Sequence, residues 1–148
     1  MTSDSYRYPA EVRRPLHPML LGFPAACFIG TMLTDIAYWA TAQMIWANFS
    51  AWLLLAGLVT GGIVLVVGIV DAVRGRLSYS RGPIWIYVIG NLLVLGLSLL
   101  NAFVHSRDAW TSVVPTGIVL SIIVVLILLV TGWMSWTVEY GRREGALD

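Results

Sequence analysis

Four apolar runs, at about residues 17–42, 49–71, 83–105 and 113–136, leave this chain little choice of fold. A membrane-crossing helix needs roughly 20 predominantly apolar residues at about 1.5 Å of rise each. Each run meets that length. In lipid, every backbone polar group must find its partner inside the chain, so a run of this kind has to be helical. The runs are continuous, with none of the alternation of barrel strands. The expectation is an all-α, four-helix transmembrane bundle.

Composition agrees where it bears on class. Hydrophobic residues make up 58% of the chain and charged residues 11%, against about 25% charged in soluble domains. A net charge of +1 gives no case for nucleic acid. The single cysteine, Cys27, excludes an internal disulfide and a Cys-rich metal site. It sits in an apolar run and reads as a packing residue.

The connections are short, about six to thirteen residues, which favours antiparallel neighbours in up-down order. Residues 1–16 form a basic arm with Arg7, Arg13 and Arg14, and 137–148 form a polar tail with Arg142 and Arg143. The link 43–48 is uncharged, with Asn48 or Ser50 as the cap of the second helix. Arg74, Arg76 and Arg81 lie between the second and third runs. Only Arg107, in a loop with His105 and Asp108, lies on the other side. That bias puts both termini in the cytoplasm of an inner membrane. Tryptophans form two belts, Trp39, Trp46, Trp52 and Trp110 at one surface and Trp85, Trp133 and Trp136 at the other.

Small residues mark where helices approach. Ala26, Gly30 and Thr34 recur every four residues in the first run. Gly57, Gly61 and Gly68 share a face of the second. Such rows allow close backbone contact where lipid supplies no hydrophobic drive between helices. They are candidate packing surfaces, against the neighbouring helix or a second copy of the chain. Pro24 removes a backbone bond inside the first run.

Polar groups in the runs are the candidate site residues. Asp35 is 17 residues beyond Pro18, roughly 25 Å into a core of about 30 Å. Asn101 is as far beyond Ile84, so the two reach one depth, with Thr31 and Tyr38 near Asp35. An intramembrane carboxylate faces the protein interior, as a proton or ligand site or as a cross-bundle hydrogen bond. At the other membrane face, His17, Asp71, Arg74, Tyr87 and Asn91 form a second layer. His17 with Asp71 suits proton transfer or a tie between helix ends.

His17 and His105 fall on opposite faces, about 30 Å apart, too far to clamp one haem. No cluster has metal-ligand spacing. No nucleophile motif, phosphate loop or carboxylate pair appears, so the chain reads as no enzyme, with no metal and no bound cofactor.

Four stretches together carry a family resemblance: HPMLLGFPAACFIGTMLTD (17–35), GIVDAVRGR (68–76), YVIGNLLVL with LNAFVHSRDAWTSVVP (87–115), and VTGWMSWTVEY (130–140). From His17 to about Tyr140 the chain resembles the domain of unknown function 2231 family, bacterial four-helix predicted membrane proteins. The resemblance implies that some members accompany periplasmic sugar dehydrogenases of the quinoprotein type. It therefore suggests an anchor or an electron-transfer partner.

The chain departs from the family pattern at several histidines. Gly22 and Tyr87 stand where members often have one. The final run reads Gly132-Trp133-Met134-Ser135-Trp136, then Glu139-Tyr140-Gly141, where a Gly-Trp-x-Gly with a following Tyr and His is typical.

Three functions stay open. The first is a non-enzymatic scaffold or accessory subunit in the lipid bilayer, working through helix contacts with a partner such as a periplasmic dehydrogenase, or as a homo-oligomer. The second is a redox subunit binding quinone or haem through His17, Asp71, Tyr87 and Asn91. The third is a proton or ion path through Asp35.

Overall fold

The computed structural model describes residues 17–74, 84–107 and 113–144, with side chains for 22–74, 88–107, 113–134, 136 and 137. Four helices follow in order: α1 (His17–Thr41), α2 (Met44–Val73), α3 (Ile84–His105) and α4 (Thr116–Glu144). Each packs against its chain neighbours, and α4 closes back on α1. The result is an all-α, up-down, four-helix bundle. Among the described residues, three helices are long and apolar enough to cross a membrane: Met44–Val73, Val88–His105 and Thr116–Met134.

The helix boundaries differ from the sequence reading in instructive ways. α2 begins at Met44, five residues before Phe49, so Ala42 and Gln43 are the whole link. Gln43 precedes α2 in extended conformation with no side-chain cap, so neither Asn48 nor Ser50 caps the helix. Ser50 is instead fully buried inside it. The sharp turn is made by Ala42 at φ 53°, whose N–H bonds back to the Tyr38 carbonyl at 2.7 Å. α4 starts at Thr116 and runs on to Glu144, past the expected end at Trp136. His105 is the last residue of α3, not a loop residue.

The buried positions on α2 are Ala47, Ser50, Leu54, Gly57, Gly61 and Val64. Their steps of three and four are the seam of a left-handed bundle. Small and polar residues fill that seam, while Trp52, Leu55, Val59, Ile63 and Val66 point outward. Large apolar residues outside and small ones inside suit a lipid surround.

Phe28, Leu54, Val94 and Val124, one from each helix, form the central apolar layer. Around it the glycines set helix spacing. A Cβ on Gly57 would lie 2.7 Å from Phe28 Cε1, and one on Gly61 2.7 Å from Leu95 Cδ2. A Cβ on Gly30 would lie 3.1 Å from Leu53 Cδ1 of α2, and Thr34 Oγ1 bonds Ser50 Oγ at 2.7 Å. These residues of the two small rows are therefore used within the bundle, whereas Ala26 is exposed. Gly68 is half-buried. Toward the far end, Gly90 of α3 is packed directly beneath Thr131 of α4.

Candidate buried polar site

The most enclosed residues of the half nearest the α1–α2 turn are mainly polar. Thr31, Asp35, Ser50, Ser98, Asn101 and Ser121 are all buried. Among them Asp35 is 0% exposed. A carboxyl there survives only if its charge is cancelled and its oxygens are bonded. Both oxygens have partners. Oδ1 meets His105 Nε2 at 2.9 Å, and Oδ2 accepts from Ser121 Oγ at 2.5 Å.

The bonding continues into a closed ring. Asn101 Nδ2 donates to Ser121 Oγ at 2.8 Å. His105 Nδ1 lies 3.0 Å from the Asn101 carbonyl oxygen. The ring thus passes through Asp35 on α1, Ser121 on α4, and Asn101 and His105 on α3. Each helix supplies its part by ordinary spacing. Asn101 and His105 are four apart on one face of α3, and α1 runs antiparallel to α4, which sets Asp35 beside Ser121.

The Asn101 carbonyl can only accept, so Nδ1 of His105 carries a proton. Two arrangements remain at the other nitrogen. Either Asp35 is a neutral acid donating to Nε2, or an imidazolium donates from Nε2 to the carboxylate. Both leave the pair with no net charge and one proton between the two side chains. That is how a carboxyl and an imidazole whose side chain is 3% exposed sit inside an apolar bundle. The site can hold one proton and exchange it across a single hydrogen bond.

Above the ring, Tyr38, Ala47 and Val113 form a small apolar cluster with Trp46 and Val114 packed on it. This cluster lies toward the α1–α2 end of the bundle. It comes from the end of α1 (Tyr38), the start of α2 (Trp46 and Ala47) and the residues just before α4.

The structure treats the sequence candidates unevenly. Asp35 and Asn101 do lie at one level, and Ser121 bridges them. His105 and Ser121 escaped the sequence reading. His105, the last residue of its run, had been grouped with the loop beyond; as the last residue of α3 it lies one turn beyond Asn101. Ser121 is one serine in a long apolar run, and only its depth opposite Asp35 marks it. The inner-layer candidates are described only in part. The side chains of His17 and Tyr87 lie outside the described residues; Asp71 and Asn91 are half-buried. No group of three or more His, Cys, Asp or Glu among the described residues is placed to hold a metal.

Comparison with known families gives one match. The family model described as "Predicted membrane protein (DUF2231)" matches residues 13–145. Comparisons with the curated proteins and with the solved structures find no match.

Proposed function

The chain belongs to the DUF2231 family of predicted membrane proteins, and from that premise we propose that it is a non-enzymatic, multi-pass component of a bacterial inner membrane built around one proton-binding site. Eight of the nine arginines flank the chain-end side of the runs, which supports cytoplasmic termini. The Asp35–His105 pair then lies toward the opposite face.

One observation carries this reading. His105 Nδ1 points at a carbonyl while Nε2 meets Asp35 at 2.9 Å, so the pair holds a proton inside the bundle. Chains of carboxylates and histidines in membrane interiors mark proton relays. Closure of the ring through three helices ties that proton to their packing.

The test is proton movement in liposomes carrying the purified protein, followed with an entrapped pH dye under an imposed potential. Wild-type vesicles are expected to carry protons faster than protein-free ones, with Asp35→Asn returning to the protein-free rate. Wild-type vesicles no faster than protein-free ones would overturn the reading, as would unchanged flux in Asp35→Asn.

A second reading has its own support. In a closed ring each bridging group is spoken for, and this favours a static tie. On that reading the chain is a scaffold or accessory subunit, for a partner such as a periplasmic dehydrogenase, and works through its outer faces. Gly57 and Gly61 are buried, so partner contacts would fall elsewhere. A quinone- or haem-binding redox role through His17, Asp71, Tyr87 and Asn91 draws no support from the Asp35 ring.

A further inference from the structure

Two buried polar atoms stand outside the ring yet beside it. Among the described residues, Ser98 Oγ and Asn101 Oδ1 have no hydrogen-bond partner. Ser98 is 0% exposed and Asn101 is 1% exposed. Ser98 is unusual among the hydroxyls here. Thr31, Thr60 and Thr131 each donate to a carbonyl one turn back in their own helix, the ordinary solution for such residues in helices. Asn101 is held by its Nδ2 bond to Ser121, which leaves its oxygen to seek a donor elsewhere.

The two atoms are complementary. Asn101 Oδ1 only accepts, and Ser98 Oγ both donates and accepts. Residues three apart on a helix lie about 5–6 Å apart at Cβ. A small molecule that accepts one hydrogen bond and donates another can serve both atoms. Leaving two buried groups unmade costs more than immobilising one water.

We propose that Ser98 and Asn101 form a binding site for a single internal water molecule, which accepts from Ser98 Oγ–H and donates to Asn101 Oδ1. The guest is a small molecule that both accepts and donates a hydrogen bond, and water is the simplest of that kind. The site extends the hydrogen-bonded chain from Asp35 through Ser121 and Asn101 toward the bundle centre. Its use in proton movement rests on the proton-binding reading; its occupancy does not.

The test is water-to-protein magnetisation transfer by NMR on the full chain in detergent micelles, observed at the Asn101 side-chain amide. A low-field imidazole proton from His105 serves as the control that the ring is intact. A water cross-peak is expected in the wild type and in Ser98→Thr, which keeps the hydroxyl, and its loss is expected in Ser98→Ala. A wild type with the imidazole signal and no cross-peak would overturn the site, and so would a cross-peak unchanged in Ser98→Ala. The liposome measurement reports separately. Flux that ignores Asp35→Asn beside a Ser98-dependent water peak removes the proton reading and leaves this site standing.

Discussion

His105 donates through Nδ1 to a carbonyl that has no proton to return, and that single contact decides what Asp35 can be. Removing one member of such a buried pair strands the other. His105→Leu or Asp35→Leu alone is expected to cost about 3 kcal/mol. The double replacement should recover more than half of that, because neither group is then left unpaired. A double-mutant cycle on unfolding in mixed micelles measures it, and additive costs would mean the two side chains do not interact. Ser121→Ala leaves Asn101 Nδ2 without an acceptor and Asp35 Oδ2 without a donor, a loss of about 1–3 kcal/mol. Ala42, at φ 53°, sits where an L side chain is strained. Ala42→Gly should therefore raise stability by about 1 kcal/mol in the same assay. Half of this site was legible in the sequence. Counting residues from the helix starts brought Asp35 and Asn101 to one level. His105 was lost because, as the last residue of its run, it was grouped with the loop beyond, and Ser121 to an apolar run in which a lone serine carries little signal.

Along each helix, the residue that matters is often the one with the least side chain. Gly90 is the tightest case, since an added Cβ would run into Thr131 Cγ2. Thr131 cannot turn aside freely, because its Oγ1 is bonded to the Ile127 carbonyl at 2.8 Å. Gly90→Ala is expected to cost about 1–3 kcal/mol. Thr131→Ser, which keeps the hydroxyl and removes the methyl, should rescue it; failure of that rescue would show that the helices are spaced by something else. At Gly57 the neighbour is the Phe28 ring, held in the central layer, whereas at Gly61 it is the mobile end of Leu95. Gly57→Ala should therefore hurt more than Gly61→Ala, and Gly62→Ala, which meets nothing within 4 Å, should not hurt at all. The helices themselves were plain in the sequence, because length and apolarity fix them. Their inner faces were harder to see. In a soluble bundle polarity marks the outside, but here the outer face is apolar and the inner one is marked by small residues and a few short polar ones. The start of α2 was hidden for a related reason. With no polar cap in use, nothing in Gln43 to Ser50 announces where the helix begins.

The whole molecule presents a broad apolar belt to its surroundings, with exposed tryptophans at both ends, Trp39 and Trp52 near one and Trp133 and Trp136 near the other. The arginine pattern predicts that a reporter fused after Asp148 is active only in its cytoplasmic form, and activity of a periplasmic reporter there would reverse the topology. Cys27 is buried inside the bundle. A maleimide should leave it unmodified in mild detergent and react promptly once SDS opens the fold; equal rates would mean the bundle is not closed around α1. The ring of bonds also has a consequence in time. Asp35 finds His105 70 residues later in the chain and Ser121 86 residues later. At ordinary rates of synthesis that is a wait of about 4–17 s. Through that interval α1 carries a carboxyl whose partners have not yet been made, so the translocon or the lipid headgroups must shelter it. Arrested nascent chains that stop before His105 should then be washed from the membrane by alkali more readily than chains that extend past Ser121.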